Sequence, residues 1–180
     1  MILNQANPSE AGEGVHLNIG CGNKIWDGFT NIDFPSNYSG KKPDIECDVR
    51  EIPLPDEHAD SAYAIHVLEH FYRWETEKVL SEWVRLLKPG GKLIIEVPCF
   101  DKVVGLINHY ANSGKPLNHQ MTYWALFGDP GYEAPEMVHK WCFTINELRH
   151  LMHKVGLYDV EVQEPQYHVK QRDMRVVGTK

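Results

Sequence analysis

Three groups of residues have types and spacings that could do chemistry. The first is a glycine turn, Leu17-Asn18-Ile19-Gly20-Cys21-Gly22, followed thirteen positions after Gly20 by Asp33, which closes the segment Phe29–Asp33. A turn without Cβ atoms lets a ligand approach the backbone closely. A carboxylate ending the next strand can accept hydrogen bonds from both ribose hydroxyls of a nucleoside. A charge-assisted contact of that kind is worth roughly 1.5–3 kcal/mol. The second group is His66-Val67-Leu68-Glu69-His70. The third is Pro98 to Phe143, which carries Phe100, His109, Tyr110, His119, Tyr123, Trp124, Phe127, Tyr132, His139, Trp141 and Phe143.

The first spacing narrows the ligand. A dinucleotide fold places its acid about 20 residues beyond the glycine motif, because a helix intervenes. Here Asn23 to Gly28 (NKIWDG) is too short and turn-like for that helix, and no G-x-G-x-x-G occurs. The pattern favours a nucleoside without a diphosphate and disfavours a nicotinamide-dependent oxidoreductase.

The second group fits H-x-x-E-H, a zinc-protease pattern that needs both histidines on one helical face and a third protein ligand. Asp60 to Ile65 (DSAYAI) reads as a buried strand running straight into His66. His66 then ends a strand while His70 lies on the following helix, so the pair is split. Zinc hydrolysis is disfavoured, no metal site is expected, and Glu69 and His70 read as structural.

The elements that must position these groups follow from periodicity. Val15–Ile19, Phe29–Asp33, Ile45–Cys47, Asp60–Ile65 and Lys92–Val97 read as short strands. Thr76 to Leu87 reads as a helix with Val79, Leu80, Trp83, Val84 and Leu87 on one face, stopped by Lys88-Pro89-Gly90-Gly91. Thr144 and Glu147 fit a capping box opening a helix lined by Ile145, Leu148, Leu151, Met152 and Val155, with Gly156 as its left-handed stop. Tyr158–Gln163 and Asp173–Gly178 read as an antiparallel pair. The expected fold is α/β: a Rossmann-like, doubly wound mixed sheet, mostly parallel with a C-terminal antiparallel strand, in three layers. Pro98 to Phe143 spans 46 residues, more than a plain crossover needs, and its aromatics argue against disorder. It reads as a lid over the carboxyl edge of the sheet, with short helices over Asp101–Asn112 and Gln120–Phe127.

Composition bounds the rest. The 180 residues, 42% hydrophobic, suit one domain over 15–180 with the lid inserted at 98–143 and a loose lead-in at 1–14. The lead-in lacks the basic and apolar stretches of a signal peptide. A net charge of -7 disfavours non-specific binding to nucleic acid or anionic membranes. Cys21, Cys47, Cys99 and Cys142 form no CxxC pair, which argues against a zinc ribbon or a disulfide framework and for a cytoplasmic setting.

Beyond the glycine turn and Asp33, the sequence continues with Asp48-Val49, Ile52-Pro53-Leu54-Pro55 and a V-L-E-H segment after the fourth strand. With these in place it resembles the class I S-adenosylmethionine (SAM)-dependent methyltransferases, especially a small subgroup with a GCG turn, a shortened first crossover and G-F-x-N-I-D. The matching segments are Val15–Phe34, Asp48–Leu68, Leu86–Val97 and Thr144–Lys180.

The resemblance implies SAM as cofactor. It assigns the turn from Asn18 through Gly20, Cys21 and Gly22 to the methionine part, and Asp33 to the ribose. Asp48 and Val49 fall to the adenine, and His66 flanks the sulfonium. The implied activity is methyl transfer to an oxygen or nitrogen of a small-molecule or sugar acceptor. His66 and His139 are the candidate bases, because imidazole titrates near neutrality. A SAM-binding regulatory module without catalysis is the rival reading.

Overall fold

A computed structural model of the protein describes Pro8, residues 11–35 and residues 42–180. Of the lead-in expected over 1–14, residues 1–7, 9 and 10 lie outside the described residues.

Seven strands form one sheet: β1 (His16–Ile19), β2 (Thr30–Asp33), β3 (Ile45–Glu46), β4 (Ala59–Ile65), β5 (Leu87–Pro98), β6 (Tyr158–Gln163) and β7 (Asp173–Thr179). Their order is β3-β2-β1-β4-β5-β7-β6. Neighbours from β3 to β5 are parallel, whereas β7 runs antiparallel to both β5 and β6. The carboxyl ends of β1, β2 and β4 therefore lie side by side, so Gly20, Asp33 and His66 share one edge. That edge is where open α/β sheets bind ligands.

Side chains alternate across the sheet, as strand geometry requires. Leu17, Ile19, Ile32, Ala62, Ala64, Leu93, Ile95, Val97 and Val176 join one large core. The helices α1 (Thr76–Leu86) and α4 (Ile145–Lys154) close that core. α1 buries Val79, Leu80, Trp83 and Val84, the expected stripe; Leu87, expected on the same helix, instead opens β5. Burial of each such side chain is worth roughly 1.5–3 kcal/mol. α4 starts with Thr144 Oγ1 accepting the Glu147 N–H at 3.1 Å. The reciprocal half of the capping box is absent, because Glu147 accepts from Arg73 Nε at 2.6 Å and Trp141 Nε1 at 3.2 Å.

The opposite face carries a smaller cluster of Trp26, Tyr63, Ile65, Ile94, Tyr167 and Val177. Where a first crossover helix would run, residues 21–29 make turns. Trp26 fills the space instead, with its ring 5.2 Å from those of Phe29 and Tyr167 and 5.8 Å from that of Tyr63.

The segment expected as a lid, 98–143, folds as α2 (Phe100–Ser113), a 3-10 turn at His119–Met121, α3 (Tyr123–Phe127) and a second 3-10 turn at Pro135–Met137. The helix expected over Gln120–Phe127 is split at Thr122, which is fully buried and non-helical (φ -127°, ψ -81°). Its hydroxyl donates to the Asn118 carbonyl at 2.8 Å, holding the preceding turn as a separate unit.

Candidate active site

The two halves of the glycine–carboxylate pattern meet directly. Asp33 Oδ2 accepts the Gly22 N–H at 2.6 Å, and Oδ1 accepts the Phe34 N–H at 2.7 Å. A carboxylate offers about four lone-pair sites, so both oxygens keep capacity for two ribose hydroxyls.

Gly20 and Gly22 both lie in the left-handed region, at φ +66° and +52°. They are glycines for different reasons. A Cβ on Gly20 would stand 2.5 Å from Val67 Cγ2, so this position admits Val67 rather than a ligand. A Cβ on Gly22 would meet nothing within 4 Å among the described residues, so the outer side of the turn has room there. Asn18, also drawn from the motif, faces inward. Its Nδ2 donates to the Lys24 carbonyl at 2.7 Å and to Asn31 Oδ1 at 2.9 Å, which shapes the turn replacing the helix. Cys21 is buried, and burial first, with Asp33 second, pushes its thiol up to about 12.

Asp48 and Val49 sit beside this turn, since the Cys47 N–H donates to the Asp33 carbonyl at 2.9 Å. The Asp48 carboxylate is forked by Arg50, with contacts of 2.6–3.0 Å, and Arg50 also reaches Glu75 at 3.0 Å. Burial disfavours the Asp48 anion, but the Arg50 bonds outweigh it and hold the carboxyl below its usual range. Val49 is buried and its carbonyl accepts from Trp83 Nε1 at 2.9 Å.

His66 follows the last residue of β4 with φ +56°, an uncommon conformation for a residue with a Cβ. Its Nδ1 lies 3.1 Å from Glu69 Oε1 and its Nε2 lies 3.4 Å from Asp173 Oδ2, while His168 stacks on the ring at 3.8 Å. Burial alone disfavours the imidazolium, yet Glu69 and Asp173 outweigh it and raise the group to about 9. Burial, then His66 and Lys24, depress His168 strongly.

His139 lies on the lid, remote in sequence but next to this cluster. Its Nδ1 is 2.9 Å from the Ala125 carbonyl, and its ring meets His70 edge-on at 4.9 Å. The Lys140 and Trp141 N–H groups donate to the Glu69 carbonyl at 2.8 and 3.2 Å, which pins the lid to the turn at Leu68–His70. An open depression of about 660 Å³ adjoins it, lined by Tyr72, Pro135, Glu136, Val138, His139 and Lys140.

The methyltransferase domain family matches residues 30–95. A probable SAM-dependent methyltransferase of Mycolicibacterium smegmatis is 38% identical over 48 residues, which is 27% of this chain and 18% of that relative. A solved SAM-dependent methyltransferase of Thermotoga maritima shares the fold with a TM-score of 0.62 at 20% identity, over 95% of this chain and 84% of that one. Residues 30–95 thus carry a methyltransferase-domain match, and the chain has the fold of SAM-dependent methyltransferases.

The same fold occurs in the 1,6-didemethyltoxoflavin N1-methyltransferase of Burkholderia thailandensis, solved with that compound and S-adenosylhomocysteine. Its TM-score is 0.56 at 15% identity, over 93% of this chain and 71% of that one. Beside the carboxyl ends of β1 and β2, the outer side of Gly22 is open among the described residues and Asp33 keeps lone pairs beyond its two backbone bonds. Sequence reasoning missed Lys24, His168 and Asp173. His168 lies in what reads as a hairpin connection, and only the sheet order brings it over His66. Trp141 is half-exposed and bonded to Glu147, neither a core residue nor a stacking platform at the cluster.

Proposed function

We propose that the protein transfers the methyl group of SAM to an oxygen or nitrogen of a small-molecule or sugar acceptor. The observation that carries this reading is the direct bond between Gly22 and Asp33 at the carboxyl ends of β1 and β2, which makes turn and acid one nucleoside-binding unit. SAM supplies an activated methyl group on a positively charged sulfur. Asp33 holds the ribose, the 20–22 turn lies along the methionine part, and Asp48 and Val49 border the adenine. For Asp48 to reach the adenine amino group, Arg50 must share its carboxylate.

The protein's main task is to hold the reacting atoms roughly 3–3.5 Å apart in line. Both ring nitrogens of His66 face carboxylates, so this residue suits orienting the sulfonium edge rather than taking a proton. His139, anchored through Nδ1, is the imidazole on the acceptor side. The net charge of -7 and the modest depression beside the lid support a small acceptor over nucleic acid. The compound bound by the Burkholderia enzyme points the same way.

Among the described residues no helix is long and apolar enough to cross a membrane. The four cysteines are free thiols, which supports the cytoplasmic assignment. The rival reading, a SAM-binding module without turnover, draws on the pinning of the lid to Glu69.

Asp33→Ala is expected to weaken SAM binding about 10- to 100-fold by calorimetry, the loss of one or two charge-assisted hydrogen bonds. Unchanged affinity would remove Asp33 from the site. Labelled SAM turned over against a panel of hydroxyl and amine acceptors separates enzyme from module: transfer to none of them, with SAM bound, favours the module.

A further inference from the structure

We propose that Glu69, His70 and His139 form a binding site for a divalent transition-metal ion. The sequence reading expects no metal, because the strand ending at His66 splits the H-x-x-E-H histidines. The structure does split them, but His70 gains a different partner from the lid. One candidate ligand atom from each of Glu69, His70 and His139 lies within 4.8 Å of the others.

Glu69 is the clearest sign. It is fully buried and its charge faces the His66 ring, yet among the described residues neither carboxylate oxygen accepts an aligned hydrogen bond. Buried polar atoms are nearly always hydrogen-bonded, and leaving a carboxylate's bonds unmade in the interior is costly. The nearest cationic group, His66 Nδ1, is at 3.1 Å but without hydrogen-bond alignment. His70 Nδ1 is likewise buried and unpartnered. His139 completes the set. With Nδ1–H donating to the Ala125 carbonyl, Nε2 carries the free lone pair, the arrangement by which outer carbonyls orient metal-bound imidazoles. The two rings cross at 88° rather than stacking.

The scaffold is built before any ion arrives. Glu69 and His70 share the short turn at Leu68–His70, and the Lys140 and Trp141 bonds to the Glu69 carbonyl fix the lid strand bearing His139 against it. Ligands at 2.0–2.2 Å from an ion require side-chain rotations of roughly 1 Å from the present separations. Two imidazoles and one carboxylate suit zinc, cobalt, iron or manganese better than magnesium or calcium, which prefer oxygen ligands. A second trio, His66, His168 and Asp173, is as compact but does not qualify. The Asp173 carboxylate is already satisfied by the Val169 N–H at 2.9 Å and by Arg172 at 2.6 and 3.0 Å.

Three protein ligands leave positions for an incoming oxygen. On the methyl-transfer reading, on which this clause rests, that oxygen belongs to the acceptor hydroxyl. Its proton leaves to solvent base, its electron pair forms the bond to the methyl carbon, and the carbon–sulfur pair stays on sulfur. His139 then serves as a ligand, not as the base.

The test is metal binding, read without turnover. Chelator-stripped protein is titrated with Co²⁺, followed by its visible absorption, and with Zn²⁺ against a chromogenic chelator. The expected result is one equivalent bound by the wild type. Affinity should fall at least 10-fold in Glu69→Gln and His139→Asn and persist in His109→Asn, an exposed lid histidine. Asp33→Ala should keep the metal while losing SAM, so failure of the metal site and failure of the nucleoside site are told apart. No stoichiometric binding by the wild type overturns the proposal. So does unchanged binding in both ligand variants. Circular dichroism checks the fold; if Glu69→Gln unfolds, His139→Asn decides alone.

Discussion

Gly20 and Gly22 stand two residues apart with nearly the same backbone twist, and the structure assigns them different costs of substitution. Placing alanine at either position forces a side chain into the left-handed region, a penalty of about 1–2 kcal/mol. At Gly22 nothing else is added, since among the described residues no atom lies within 4 Å of the new carbon. At Gly20 the new carbon falls 2.5 Å from Val67 Cγ2 and 2.9 Å from Cγ1. Val67 is itself buried against the core, so it cannot swing away freely, and overpacking there adds about 1–3 kcal/mol. Gly20→Ala is therefore expected to cost about 2–5 kcal/mol in urea unfolding, and Gly22→Ala only about 1–2 kcal/mol. The pair Gly20→Ala and Val67→Ala isolates the clash, because shortening Val67 removes both crowding methyls. A double-mutant cycle should return a favourable coupling of about 1–3 kcal/mol. SAM affinity should show the opposite ranking per unit of stability lost, with Gly22→Ala intruding on the ligand side of the turn. Equal destabilisation by the two alanines, or a coupling near zero, would refute the reasoning.

Three further outcomes are expected. Glu82 accepts from Arg85 and from the Ile52 N–H, and chiefly the Arg85 bonds hold its carboxyl below the usual range. Because the folded value is depressed, its stabilisation is present above the unfolded value, about 4.3, and is lost as pH falls through the folded value. Urea midpoints should therefore drop less steeply below pH 5 in Glu82→Gln than in the wild type. Glu96→Gln should destabilise by about 3–5 kcal/mol, since it removes the buried charge that pairs Arg175 at 2.9 Å, and a midpoint shift within error would count against that pair. Thr144→Ala should cost about 1 kcal/mol by loss of the single α4 cap, read by thermal unfolding.

Much of the scaffold was legible because it rests on local rules. Strand β6 and the α1 stripe of Val79, Leu80, Trp83 and Val84 follow from periodicity, and the absence of a first crossover helix follows from the shortness of Asn23–Gly28. The meeting of Gly22 and Asp33, proposed above to hold a nucleoside, was legible for the same reason: they follow and end adjacent parallel strands, whose register brings them together. Other features depended on contacts that no spacing reveals. Asn18 reads as a motif residue but is consumed by Lys24 and Asn31. Glu147 reads as half of a capping box but is taken by Arg73. The cluster around Glu69 draws His139 from the lid, and the one beside His66 draws Asp173 and His168 from the last hairpin. Such long-range meetings are set by sheet order and by how the lid folds back.

The insertion of β7 between β5 and β6 has a consequence for synthesis. The sheet stays gapped until residues 173–179 leave the ribosome, although β1 was made some 150 residues earlier. The Gly20–Gly22 turn waits with it, because Trp26 leans on Tyr167 and Lys24 reaches His168 at 3.0 Å. A nascent chain stalled before residues 167–179 emerge therefore exposes two unpaired strand edges and leaves the Gly20–Gly22 turn without Tyr167 and His168 to support it. Such a chain is a target for chaperones.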